Sequence, residues 1–359
     1  MSASFCAPLP RRAVREMSAY TPGEQPADPA IVKLNTNEFP YPPAPEVVEA
    51  LRREATAALR LYPNPSAAPL RAALAELCGV APERVFTGNG SDETLRYLFH
   101  AFAEPGDSIA ILDPTYSLYP VLAKMFDERI EAHAAGEAPR LPESLFASRA
   151  RLFVVANPNP PLGVFYPLRE IARLADARPE ALVAVDEAYA AFAPGDCLAL
   201  ARERANVLVS RTFSKSHALA GMRIGYAVAH PAVIESLDKI RDSYNINRAS
   251  QAVALAALDA HGYYEAKARE IVETRERLRQ ALLEMGYRVP PSSGNFLFAR
   301  SGDGRATLEA LRKRKILVRF FDDPALRDGV RITIGSPEEI DRLIEAMREL
   351  PAPRWEAAK

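Results

Sequence analysis

Cysteine is scarce. The 359 residues hold three, Cys6, Cys78 and Cys197, far apart and with no CxxC pair. That excludes a disulfide framework and a thiolate zinc site, and it fits a reducing, cytoplasmic setting. Net charge is nearly absent as well, at -1 from 45 basic and 46 acidic side chains. No bulk positive field exists to hold nucleic acid or an anionic membrane. No apolar run approaches the ~20 residues of a membrane span. After Phe5-Cys6-Ala7 come Pro8, Pro10, Arg11 and Arg12, not the apolar core of a signal peptide. What remains is an ordinary globular balance, 48% hydrophobic and 25% charged. A chain of this length predicts a large domain plus a smaller one, with enough buried surface to fold without staples.

Proline, by contrast, is abundant, and nine of the 31 precede position 50. Such a segment predicts an extended arm rather than a helix. A helical pattern starts at Pro45, with Val47, Val48, Leu51 and Leu59 on one side, and a second runs over 69–78 until Gly79. Strands at 85–87, 108–112, 152–156, 181–185 and 207–210 then alternate with helical segments at 92–103, 118–125 and 167–175. Continuous Val/Leu/Ala runs between helices indicate an α/β fold with a mainly parallel sheet covered on both faces. From about 230 helices dominate, and the last third reads as a smaller α+β unit with strands at 295–299, 316–319 and 330–334. The expected organisation is an arm over 1–45 packing with the small domain, a large domain over 46–265 and a small domain over 266–359.

In an open parallel sheet, ligands sit beyond the carboxyl ends of the strands. The first strand end carries Gly88-Asn89-Gly90-Ser91-Asp92-Glu93. It is either a phosphate cradle at a helix start or a plain turn with Ser91 or Asp92 as N-cap. It falls one residue short of the dinucleotide fingerprint, with Glu93 where close packing wants glycine. The second strand end offers Tyr116, as a ring-stacking or a core residue. The third offers the amides of Asn157 and Asn159, in a proline-rich loop. At the fourth, Asp186 follows five apolar residues and needs a cation or strong donors. The fifth carries Thr212, Ser214, Lys215 and, eight residues on, Arg223. A lysine in such company is a candidate Schiff-base nucleophile. An anion cradle, an aromatic, a buried acid and a lysine with hydroxyls and arginine suit pyridoxal phosphate. A nicotinamide site would leave Lys215 and Asp186 without a role.

The sequence resembles the fold-type I pyridoxal-phosphate enzymes, the aspartate aminotransferase superfamily, and within it the histidinol-phosphate aminotransferase branch. The resemblance covers nearly the whole chain. It rests on Tyr20-Thr21-Pro22-Gly23, Leu34-Asn35-Thr36-Asn37-Glu38-Phe39-Pro40, Tyr62-Pro63, Gly88 to Glu93, Pro114-Thr115-Tyr116, Asp186-Glu187-Ala188-Tyr189, Thr212 to Arg223 and Arg331-Ile332-Thr333-Ile334-Gly335. It implies Lys215 as the residue that holds the cofactor aldehyde and then moves the proton. Asp186 would pair with the pyridine nitrogen, Tyr189 with the ring hydroxyl, and Tyr116 would stack on the ring. Gly90, Ser91, Asp92, Thr212, Ser214 and Arg223 would form the phosphate cup. Tyr62 would reach the neighbouring subunit's phosphate, which implies a homodimer with shared sites. Tyr20, Asn37, Arg319 and Arg331 would face the substrate. The family's ring-hydroxyl amide is replaced by Pro160 here, so Asn157 or Asn159 supplies that contact or no amide does. The implied reaction is transfer of an amino group from L-histidinol phosphate to 2-oxoglutarate, in histidine biosynthesis. Aromatic transamination, decarboxylation of threonine phosphate, a non-catalytic binding protein and a dehydrogenase are the alternatives.

Overall fold

The computed structural model describes residues 9–353 and 355, so Cys6 and the outermost termini lie outside the described residues. Its strands are β1 Val32–Leu34, β2 Val85–Gly88, β3 Ser108–Asp113, β4 Arg129–Ala134, β5 Leu152–Ala156, β6 Leu182–Asp186, β7 Val207–Thr212, β8 Gly225–Val228, β9 Phe296–Arg300, β10 Ile316–Phe320 and β11 Gly329–Thr333. Seven of them form one sheet in the order β2-β8-β7-β6-β5-β3-β4, in which β8 alone runs against its neighbours. The other four form a second sheet, β1-β10-β11-β9.

The apolar runs explain the large sheet. Every residue of β5 and β6 is buried. Alternation along each strand sends Phe153, Val155, Val183 and Val185 to one face, and Leu152, Val154, Leu182 and Ala184 to the other. Ile171, Leu174, Leu70 and Leu74 join the first layer; Leu95, Phe99, Leu122 and Leu237 join the second. Removing a ring such as that of Phe153 from a layer this dry would cost about 3–5 kcal/mol. In the small sheet, antiparallel β9–β11–β10 is extended by β1, which pairs parallel with β10. The proline-rich arm thus contributes a strand to the C-terminal sheet.

Two local expectations are corrected. The proline-rich arm is not wholly extended: Arg12–Glu16 is a short helix, in the proline-free stretch between Pro10 and Pro22. The first long helix, Pro45–Glu54, stops before Leu59. Thr56 there accepts a hydrogen bond from Ala58 N–H and starts a separate turn, Ala57–Arg60, leaving Leu51 and Leu59 exposed. Strands β1, β4 and β8 carry no signal in the sequence pattern: β1 and β8 are short and β4 is charged. We propose the junction between large and small domains within the helix His261–Glu284, which runs unbroken through position 265. Among the described residues no helix is long and apolar enough to cross a membrane.

Candidate active site

A cavity of about 240 Å³ lies between the ends of the large-sheet strands and the small sheet. One wall is built from strand ends: Ser91 and Asp92 beyond β2, Tyr116 beyond β3, Asp186 ending β6, and Thr212, Ser214 and Lys215 at and beyond the end of β7. The other wall is Tyr20, Asn35, Asn37, Glu38, Arg319 and Arg331, from the arm and the small sheet.

Asp186 is 5% exposed. Its Oδ2 accepts from the Tyr119 hydroxyl at 2.8 Å, and its Oδ1 accepts from Ala188 N–H at 3.2 Å. Burial outweighs these donors and pushes the carboxyl up to about 6. Lys215 sits in the one-turn helix Phe213–Ser216, directly after β7. Its Nζ donates to the Thr36 carbonyl of the arm at 2.9 Å. Burial, and then the charge of Arg331, bring the amine down to about 8, against the pull of Glu38 and Asp92.

The helix Ser91–Phe102 points its N-terminus into the cavity. Gly90, not Ser91 or Asp92, is its N-cap, and no side chain caps it. A Cβ on Gly90 would come within 2.5 Å of Arg223 Nη2. Gly225 is equally constrained, since a Cβ there would collide with Ser91 N and the Gly90 carbonyl carbon. Arg223 is held at φ 52°, in the left-handed region, which costs a non-glycine residue about 1 kcal/mol. Its guanidinium donates to Ser214 Oγ at 3.2 Å and Asp92 Oδ2 at 3.1 Å. Tyr116 donates to the other Asp92 oxygen at 3.3 Å. Thr212 Oγ1 accepts from Ser214 N–H at 3.1 Å, fixing the turn.

On the opposite wall, Arg319 and Arg331 are register partners on β10 and β11. Like charges opposite one another on adjacent strands repel. Arg331 donates to the Asn35 carbonyl at 3.0 Å, its Nε is buried without a partner, and burial lowers its pKa. Arg319 donates to the carbonyls of Thr21 and Pro22 in the arm. Tyr20 stands edge-on to Tyr116, ring centroids 6.0 Å apart. Asn37 is pinned between walls: its Nδ2 donates to Tyr189 Oη at 2.9 Å, and its Oδ1 accepts from Thr333 Oγ1 at 3.1 Å.

Four sequence candidates lie outside the cavity lining: Gly90, which caps the helix next to Ser91, and Asn157, Asn159 and Tyr62. Asn157 is spent on structure, donating to the Tyr166 carbonyl and accepting from Tyr166 N–H. Asn159 donates to the Pro114 carbonyl and accepts from Thr115 Oγ1. Pro158 and Pro160 line the cavity instead. Tyr62 is 77% exposed and stacks on Tyr244 at 4.5 Å. Tyr119, Thr36, Asn35 and Glu38 join the site without having been expected there. Tyr119 carried a usable signal, a second tyrosine one turn beyond Tyr116 at a helix start. A larger cleft of about 730 Å³ opens behind the lysine loop and shares Ala188 and Thr212 with the site. Its buried acid, Glu187, is already paired with Arg211 at 2.7 Å.

The family model "Aminotransferase class I and II" matches residues 29–347. Histidinol-phosphate aminotransferase of Geobacter sulfurreducens is 45% identical over 349 residues, covering 95% of this chain and 99% of that one. The enzyme of that name from Chromohalobacter salexigens is 45% identical, covering 93% and 97%. Among solved structures, histidinol-phosphate aminotransferase from Sinorhizobium meliloti in complex with pyridoxal-5'-phosphate superposes with a TM-score of 0.86 at 26% identity, covering 98% of this chain and 100% of that one. The residues here fit that cofactor: a buried acid with no cationic partner among the described residues, a glycine cradle at a helix start without a side-chain cap and with an arginine beside it, and a buried amine. The chain belongs to the class I and II aminotransferases, the pyridoxal-phosphate enzymes of fold type I, on the histidinol-phosphate aminotransferase branch.

Proposed function

We propose that the chain moves the amino group of L-histidinol phosphate to 2-oxoglutarate at this cavity, as a step of histidine biosynthesis in the cytoplasm. The observation that carries the reading is the pair Arg319 and Arg331, two like charges side by side on one wall, facing Lys215 on the other. Such a pair calls for an anion with two or more oxygens, and a phosphate monoester or a dicarboxylate supplies it. Both proposed substrates carry one.

Bound pyridoxal phosphate supplies an aldehyde for the amine and a ring that withdraws electrons from Cα. The chain's own groups do the rest. Arg223, Ser91, Thr212, Ser214 and the N–H groups at the start of Ser91–Phe102 hold the cofactor phosphate, with Gly90 giving room. Asp186 would keep a proton on the pyridine nitrogen, Tyr189 would donate to the ring hydroxyl, and Tyr116 would stack against the ring. Asn37 already donates to Tyr189 Oη, which leaves the phenol proton free for that bond. Lys215 Nζ, its pKa lowered to about 8, would take the proton from the substrate's Cα and return it two atoms along. Tyr20 closes the entrance and excludes water.

The same proposal makes the enzyme a homodimer. Tyr62 lies outside its own cavity, beside the exposed Leu59, Leu61 and Tyr244. An apolar patch of this kind needs a cover, and a second copy would bring Tyr62 to the partner's cofactor phosphate. Turnover with three donors tests the assignment. L-histidinol phosphate should form L-glutamate from 2-oxoglutarate with kcat/KM about a hundredfold above L-phenylalanine. Carbon dioxide from O-phospho-L-threonine, or a preference for phenylalanine, would refute it.

A further inference from the structure

Tyr119 opens the helix Leu118–Met125, and its side chain is fully buried. Its ring stands edge-on to Tyr116, centroids 5.6 Å apart at 85°. Its oxygen lies 2.8 Å from Asp186 Oδ2. Burial and that carboxylate hold the phenol well above its ordinary range, so the proton stays on Tyr119. One oxygen of Asp186 therefore takes the Tyr119 hydroxyl and the other takes Ala188 N–H. No lysine or arginine among the described residues bonds to it. The charges of Asp92 and Glu187 both make the anion harder to hold.

We propose that Tyr119 is a positioning residue: its hydroxyl keeps Asp186 anionic and aimed, and so keeps the proton on the pyridine nitrogen of bound pyridoxal phosphate. The proposal rests on the role given to Asp186 above. An acid and a pyridine nitrogen share one proton, and the donor behind the acid decides where it sits. With the hydroxyl in place, the carboxylate is stabilised and the nitrogen stays charged. Without it, the carboxylate becomes more basic and draws the proton across. The ring then withdraws electrons poorly, although nothing that touches substrate has changed. The same tyrosine supports Tyr116, so one side chain braces both the acid and the ring cover.

Tyr119→Phe keeps the ring and removes only the hydroxyl. The decisive readout is the nitrogen NMR shift of ring-15N pyridoxal phosphate bound to the dimer. Wild type should show a protonated pyridine, and Tyr119→Phe should move the signal toward the neutral one. Cofactor affinity should fall about tenfold, the worth of a hydrogen bond to a charged group. In an Asp186→Asn background, Tyr119→Phe should change neither quantity further. An unchanged nitrogen shift in the single variant overturns the proposal, even where thermal stability drops, because that would make Tyr119 a packing residue only. A neutral pyridine in wild type overturns the role of Asp186 itself, and this inference with it.

Discussion

The large-sheet wall of the cavity is made of consecutive residues at strand ends, held by neighbours a few positions away. Ser214 N–H bonds to Thr212, Ala188 N–H to Asp186, and Arg223 to Ser214. The arm-and-small-sheet wall is made of single residues brought together from afar: Asn37 meets Thr333, Arg331 meets Asn35 and Arg319 meets Thr21. Only Lys215 to Thr36 and Asn37 to Tyr189 tie the two walls directly by hydrogen bonds between lining residues. The difference separates two jobs. On the proposed reaction, a rigid parallel sheet would fix the groups that must stay aligned with the reacting atoms, and the wall assembled from the arm and small sheet would recognise the substrate.

Substitutions on the first wall should therefore act on kcat and on cofactor binding, and those on the second on KM. Lys215→Ala is the largest. It removes the group proposed to move the proton, and kcat should fall about 10⁴-fold or more while the cofactor phosphate is still bound. Steady-state kinetics with an equilibrium binding measurement checks both halves. Retained turnover would remove the chemistry from the first wall.

Asp186→Asn comes next, in the cofactor-free protein. The folded-state pKa of about 6 lies above the ordinary 3.8 for aspartate. The protonated acid therefore favours folding, and that contribution is complete below pH 4 and lost as the pH rises through 6. The variant should lose that share of the pH dependence, keep the share set by other raised acids such as Glu128, and be more stable than wild type at pH 7 by about 3 kcal/mol. Urea unfolding at pH 4, 5, 6 and 7 reads the difference. With cofactor bound the order should reverse.

Arg331→Lys tests the second wall. It keeps the charge but loses the fork, so KM for L-histidinol phosphate should rise about tenfold to a hundredfold with kcat nearly unchanged. A fall in kcat alone would erase the division between the walls. The smallest effect is expected at Tyr62→Phe. Loss of one hydrogen bond should weaken cofactor affinity about threefold to tenfold, and only in the dimer. Titration above and below the dimer dissociation range checks it.

The same contrast governs how much was legible in the sequence. Asp186 was readable as a site candidate because an acid directly after a buried apolar strand is stripped of water and needs a specific partner, and Lys215 and Arg223 because they share one strand-end segment with two hydroxyls. The seven-stranded sheet was readable from the same runs: Val183 and Val185 sit in a strand buried on both faces. The arm's strand Val32–Leu34 was not, since three residues carry no periodicity and pairing with β10 is a contact across more than 280 residues. Asn157 and Asn159 carry the right chemistry in the right loop, but their amides bond the backbone carbonyls of Tyr166 and Pro114. Only a three-dimensional count of donors reveals that. Tyr119 was legible as a tyrosine one turn beyond Tyr116, but its bond to Asp186, 67 residues away, was not.

Borohydride reduction of the cofactor-loaded enzyme, followed by peptide mapping, tests the central claim most directly. The account predicts a stable pyridoxyl mass on the peptide that carries Lys215, and on no other lysine. A label on another lysine, or a loaded enzyme with none, would contradict it.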